Sequence, residues 1–320
     1  MPTKLRSSTT VYFYLICFIV VILLSALFVL IGSSRAHAQQ AGYSITMTPS
    51  STELRASPGE TTTSRFTVVN QGQTSYPLLL STQPYHVVGD IYDPQFTILA
   101  GTTDASSWIQ FDEERSQTLL AGKTKDVLYT LTVPTGTAPG GYYAVIFAET
   151  NPEISKNGVT PRNRVGNILY ITVAGAVETK GSIEKPSSDI PSVIWGNSAA
   201  VGVLVKNTGG VHYLTKTHLN ISSVFGRSLF NAELERYVLP QTQRLITAKW
   251  EKLPAIGIYK VARDSTIAGS VQQLPDTYIV VIQPWIFAVI IIGIAYLVTL
   301  AVLRARQKQK TSVESPDVQD

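Results

Sequence analysis

Hydrophobic and polar residues follow two different periods along this chain, and each predicts its own kind of element. Residues 11–31 and 285–303 are nearly unbroken apolar runs. As a helix rising about 1.5 Å per residue, the second would span roughly 28 Å, close to the hydrocarbon thickness of a bilayer. Between the runs the period drops to two. Val127, Tyr129, Leu131 and Val133 alternate with polar neighbours, and so do Val201, Val203 and Val205, which predicts strands with one buried face. Strand material is also read at 66–70, 142–148, 165–173, 211–224, 232–239, 244–250, 257–261 and 277–282. Turn signals such as Ser57-Pro58-Gly59-Glu60 and the 134–141 stretch separate them. Short strands at this spacing predict an all-β chain of tandem immunoglobulin-like β-sandwiches, a first domain over 39–175 and a second over 176–283.

A faint repeat links the two. Val69-Asn70-Gln71-Gly72 and Lys206-Asn207-Thr208-Gly209 each close a predicted strand. Residues 120–125 and 239–244 each lead into another, followed by Pro134 and Gly141-Tyr142 in one copy and by Pro254 and Gly257-Ile258-Tyr259 in the other. The turn at Asn207-Thr208-Gly209-Gly210 is read as one that needs positive φ.

Charge orients the chain. Lys4 and Arg6 precede the first apolar run, and Arg304, Arg306, Lys308 and Lys310 follow the second. By the positive-inside rule both ends are cytoplasmic and the middle is outside. Residues 1–38 read as a signal peptide cut after Ala36-His37-Ala38, before Gln39. The apolar run exceeds a usual signal core, so an uncleaved anchor, with the same orientation, stays open. Residues 284–303 read as a single transmembrane helix, with Trp285 at its outer boundary and Arg304 and Arg306 at its inner one, and 304–320 as a cytoplasmic tail. The expected location is the cell membrane, with the main part extracytoplasmic.

Seven of the 26 Lys and Arg flank or precede the apolar runs and three of the 22 acids lie in the tail, so the segment between carries 19 of each. Phosphate backbones require a clustered basic surface, which excludes nucleic acid as a partner. The one cysteine, Cys17, lies in the first apolar run, so the exported part has neither disulfide nor thiolate site.

Candidate chemistry is sparse. His86, His212 and His218 lack metal-ligand spacing, and Asp112-Glu113-Glu114 and the acidic stretch from Asp90 to Asp93 lack the spaced pattern of a calcium loop. No nucleophile elbow or phosphate loop is present. The expectation is a non-enzyme with no catalytic residue, metal or cofactor. Tyr85, Tyr92, Trp108 and Phe111 cluster around a long irregular connection, 87–107, and form the candidate ligand surface. A second long loop, 150–164, is a candidate recognition element.

The layout of signal segment, two sandwiches, C-terminal helix and basic tail resembles the WxL-interacting proteins of bacterial cell surfaces. The similar stretches are 66–72, 131–147 with its Pro-Gly-Gly-Tyr-Tyr turn, and 167–173. The resemblance implies a first domain that binds peptidoglycan and a second that engages a partner. The function expected on this basis is a membrane-anchored adhesion or scaffold module contacting cell wall or a surface protein. Pilus-chaperone sandwiches share the layout, and the alternative expectation is a membrane-tethered chaperone or assembly factor that pairs an exposed strand with an exported protein.

Overall fold

The structure, a computed structural model, describes residues 44–98, 103–112, 116–150 and 162–313. They belong to one compact unit that begins at Tyr43. The cleavage-site residues Ala36, Ala38 and Gln39, the first apolar run, Glu113, Glu114 and most of the 150–164 loop lie outside the described residues.

Alternation in the sequence becomes two stacked sheets in the first domain. One has the order β1 (Ile45–Thr48), β3 (Thr61–Asn70), β9 (Thr124–Thr132), β7 (Ile109–Phe111). The other has the order β2 (Ser51–Ala56), β11 (Arg164–Val173), β10 (Gly140–Thr150), β4 (Tyr76–Pro84), β8 (Ser116–Leu119). β1 and β2 are consecutive, separated by the cis Thr48–Pro49 bond, yet join different sheets. β7 and β8 divide between the sheets in the same way. Neighbours are antiparallel except β2, which runs parallel to β11, an immunoglobulin-like arrangement. Inward residues fill the space between: Phe66, Tyr129, Leu131, Ile146, Leu169 and Ile171 are all fully buried.

The second domain repeats the plan with a different balance. A three-stranded sheet, β12 (Gly181–Glu184), β14 (Ser198–Asn207), β17 (Thr242–Glu251), faces a six-stranded one. The larger sheet runs β13 (Val193–Trp195), β20 (Thr277–Ile282), β18 (Ile256–Ile267), β15 (Tyr213–Ser223), β16 (Ser228–Val238), with β19 (Ser270–Gln273) paired to β18. Its core contains a charge. Arg263 projects inward from β18, and its guanidinium is fork-paired to Asp189 and donates to the Gly202 carbonyl and to Thr277 Oγ1.

The faint repeat has a structural cause. Asn70 ends β3 and Asn207 ends β14, and both are buried. Each Oδ1 accepts the N–H two residues on, Gly72 or Gly209, at 2.9 Å. The Asn70 amide donates to the carbonyls of Thr74, Leu119 and Leu120, and the Asn207 amide to those of Val211 and Val238. In both domains one side chain ties the end of a strand to the approach of the next and to the approach of β9 or β17.

The expected positive φ at 207–210 is corrected: neither Gly209 nor Gly210 has one. Glycine serves close approach there, since a Cβ on Gly209 would lie 2.5 Å from the Glu178 carbonyl oxygen. The connection 87–107 is also less irregular than expected. It begins in a hairpin, β5 (His86–Val88) with β6 (Asp93–Gln95), and closes on a 3-10 turn, Ser106–Trp108.

After Pro284 the chain forms α1 (Trp285–Val313). Its side chains are described from Trp285 to Ala301 and at Arg304, and among them Val289, Ile291, Ile292, Leu297 and Val298 are more than half exposed. Among the described residues, no helix is long and apolar enough to cross a membrane.

Candidate functional site

The two sandwiches meet along an aromatic seam. On the outward face of the first domain, β10 and β11 present Tyr143, Val145, Phe147 and Tyr170, which join the apolar cluster of the second domain rather than their own core. Tyr170 stacks on Tyr237 of β16 at 4.2 Å between centroids, and the Tyr237 hydroxyl donates to Glu53 Oε2 at 2.9 Å. Tyr143 meets His212, its hydroxyl 3.2 Å from Nδ1. Gly141, of the Pro-Gly-Gly-Tyr-Tyr turn, donates its N–H to the Gly210 carbonyl across the junction. A Cβ at Gly141 would fall 2.1 Å from the Tyr143 hydroxyl, so a side chain here would displace the Tyr143 ring from its place in the seam.

The β5–β6 hairpin buckles the same seam. Its tip reaches β17, where Leu245 N–H donates to the Asp90 carbonyl at 2.7 Å. The Tyr92 hydroxyl accepts the Leu239 N–H at 2.6 Å and shares a bond with Thr242, while the Arg244 guanidinium lies 4.2 Å from the Tyr92 ring centre. Tyr92 sits at φ +64°, a left-handed conformation that costs a bulky residue of order 1 kcal/mol or more and persists only where its surroundings hold it. A junction this apolar and this bonded makes the pair of domains one frame, since free domain motion belongs to smaller, wetter contacts.

Burial sets the protonation of the seam. It pushes the Tyr85, Tyr92, Tyr143 and Tyr170 hydroxyls up and that of Tyr237 to about 12, so all remain neutral. It pushes His212 down to about 4, against a smaller upward pull from Glu53. His212 is a neutral packing residue at physiological pH. His218 lies at the surface of β15, its Nδ1 2.8 Å from Asp264 Oδ2.

The candidate ligand surface does not assemble as one face. Tyr85 and Tyr92 are 7% exposed and belong to the seam. Trp108 and Phe111 are half-buried against the first-domain core, with Trp108 4.7 Å from the Tyr142 ring. The hairpin folds over the sheet and carries its aromatics inward, which an irregular loop would not do. Tyr85 does line a cleft of about 340 Å³ between the domains, with His86, Thr103, Tyr143, Leu239 and Gln241 among its walls. Of the anchor flanks, Trp285 and Arg304 are exposed, and the Arg306 side chain lies outside the described residues. Among the described residues no group of three or more His, Cys, Asp or Glu is placed to hold a metal.

From the seam β16 runs outward as the last strand of its sheet. The carbonyls of Tyr237 and Glu235 accept guanidinium donors from Arg244 and Arg236 instead of a strand. Backbone groups alternate sides along an antiparallel strand, so Asn231 and Glu233 also direct their N–H and C=O away from β15. The side chains alternate as well. Phe230, Ala232 and Leu234 face the core yet are only half-covered, because the opposing sheet stops at β17. Glu233 and Glu235 face out and pair with Lys216. Sequence reasoning missed Glu53, Tyr143, Tyr170, His212, Tyr237 and Arg244 as a unit; the glycine pair at 140–141 was the legible signal.

No family model matches the chain, and no curated protein matches its sequence. Solved structures do match. The class 5 fimbriae chaperone CfaA is 10% identical, with 72% of this chain and 100% of that one covered and a TM-score of 0.38. The CsuC–CsuE chaperone–tip adhesin subunit pre-assembly complex of Acinetobacter baumannii gives 12%, 75%, 99% and 0.36. The Salmonella enterica SafA pilin in complex with the SafB chaperone gives 11%, 74%, 96% and 0.36. The solved structures that match are fimbrial chaperones and their complexes, not WxL-interacting proteins, which corrects that resemblance, and nothing in them supports the peptidoglycan contact it implied. The stretches that carried it have sandwich roles instead: 66–72 holds the Asn70 corner, 131–147 the glycine approach at the junction, and 167–173 is strand β11.

Proposed function

We propose that the chain is a non-enzymatic, extracytoplasmic assembly factor that holds an extended segment of an exported surface protein as an added strand on β16. One observation carries this reading: an outer strand of 11 residues whose inward apolar row is half-covered and whose outward backbone groups have no strand beside them among the described residues. Strand addition supplies what both lack, with main-chain bonds for affinity and side chains of the incoming strand over Phe230, Ala232 and Leu234 for selectivity. The rigid seam at Tyr237 fixes where that strand must stop. We read α1 as the tether, on the strength of the apolar 285–303 run and the cations that follow it.

The test is binding of peptides tiled across exported proteins of the same cell. Asn231→Pro removes an outward N–H and leaves the bonds to β15 intact. It should weaken capture about tenfold or more, equivalent to about 1.4 kcal/mol, while Asn231→Ala leaves it unchanged. Equal binding by the proline variant, or binding to purified wall material in place of any peptide, would favour the scaffold reading instead.

A further inference from the structure

The end of the second domain from which α1 departs is apolar on its outer face. In the six-stranded sheet, Trp195 of β13 and Ile256 of β18 both pair with Ile282, the last residue of β20, and Ile258 lies one row back, opposite Val280. Trp195, Ile256 and Ile258 are 59%, 62% and 53% exposed. β15 reaches the same end, since its last residue Ser223 pairs with Tyr259, and the hairpin that follows puts Phe225 in solvent at 95% exposure. Apolar side chains clustered outward at one end of a sheet mark a contact surface rather than scattered surface residues.

The patch is continuous with α1. The Trp195 ring stacks on Phe287, in the first turn of the helix, at 5.5 Å and 26°. The take-off is fixed to the sheet, because Gln283 donates its N–H to the Ala255 carbonyl and its side-chain amide to the Leu253 carbonyl. Whatever medium surrounds the start of α1 therefore also meets Trp195 and Ile256. Two exposed cations, Arg227 and Lys252, stand at the same end, while Glu251 is taken by Lys249 at 3.1 Å. Indole rings, branched aliphatics and lysine or arginine at one border are the composition that settles at the headgroup level of an anionic bilayer.

We infer that this end of the second domain is a membrane-docking surface that seats the sandwich in the outer leaflet beside α1. The inference rests on the tether reading. Docking of this kind holds the larger sheet upright on the bilayer and leaves β16 accessible from the side.

Spin labels on the full chain test it, with Cys17→Ser so that each introduced cysteine is unique. The chain is reconstituted in phosphatidylethanolamine–phosphatidylglycerol vesicles and labelled in turn at Phe225, Ile256, Leu128 and Ile292. Collision with an aqueous nickel complex is then compared with collision with oxygen. Labels at Phe225 and Ile256 should be shielded from nickel about threefold or more relative to Leu128, as for groups held about 5–10 Å into the interface. If Ile292 is shielded while Phe225 and Ile256 match Leu128, docking is overturned and the tether stands. If Ile292 itself meets nickel freely, the tether reading fails and docking with it.

Discussion

Along β9 of the first sandwich the inward residues Val127, Tyr129 and Leu131 are completely covered, whereas along β16 of the second the inward residues Phe230, Ala232 and Leu234 are only partly buried. The corners of the two domains are the same, built on Asn70 and Asn207, so the difference lies in how many strands stand opposite. Four strands cover the five-stranded sheet of the first domain; three do not cover the larger sheet of the second. Among its described residues the first domain buries no charged side chain. The second is completed by the hairpin and seam of its neighbour and by a buried ion pair, and it leaves one strand open.

The ion pair gives the sharpest way to break this comparison. Asp189→Ala leaves the Arg263 guanidinium, with none of its side chain exposed, facing only Gly202 and Thr277. An uncompensated buried charge should cost about 3–5 kcal/mol in urea unfolding, whereas replacing both partners by apolar residues restores most of it. No residue of the first-domain core should respond in this way. A loss below about 1 kcal/mol would mean that water reaches Arg263 and that the second core is open on this side too.

Acid should test the seam next. His212 is neutral when folded, with its value lowered from an ordinary 6.5 to about 4. As pH falls below 6.5 the unfolded chain takes up a proton that the folded chain refuses until about 4. Stability contributed here is complete above the upper value and is lost across that window, by an amount on the order of 3 kcal/mol. His212→Gln should flatten the decline. An unchanged decline in the variant would assign the acid sensitivity to other groups.

The pattern of covered and uncovered residues also marks what could be read from sequence. Clean alternation at 127–133 and 201–205 reported true sandwich strands, because a residue facing a complete core has no polar substitute. Trp250, at the end of the strand material read at 244–250, is 3% exposed for the same reason. The hairpin 86–95 was not legible, since its short strands carry no period and Tyr92 depends on Leu239 and Thr242, some 150 positions away. Nor does composition reveal that Tyr170 faces Tyr237 instead of a core. That depends on which side of β11 meets the other domain, a tertiary fact with no local signature.

The corners offer a finer comparison. The Asn207 amide meets two wholly buried carbonyls, Val211 at 2.9 Å and Val238 at 2.8 Å, while of the three acceptors of Asn70 only Leu119, at 3.3 Å, lies in a wholly buried bond. Alanine strands these groups, and water can reach those of the first corner more readily. Asn207→Ala should cost about 2–3 kcal/mol and Asn70→Ala about 1–2 kcal/mol, both measured by unfolding of the intact pair of sandwiches. The reverse order would mean that the first corner, not the second, is the more sealed.

The smallest expected effect falls where the two regions touch. Tyr237→Phe removes a hydroxyl that donates to Glu53 and keeps the ring stacked on Tyr170. Glu53 is largely exposed, so the lost bond is replaced by water and should cost about 0.5–1 kcal/mol. Tyr237→Ala removes the ring as well and should cost several times more, because the stack closes the seam at the end of β16. The two variants divide the junction into its polar and apolar parts. If phenylalanine costs as much as alanine, the seam is held by the Glu53 bond, and the two sandwiches are joined by polar contact at their rim.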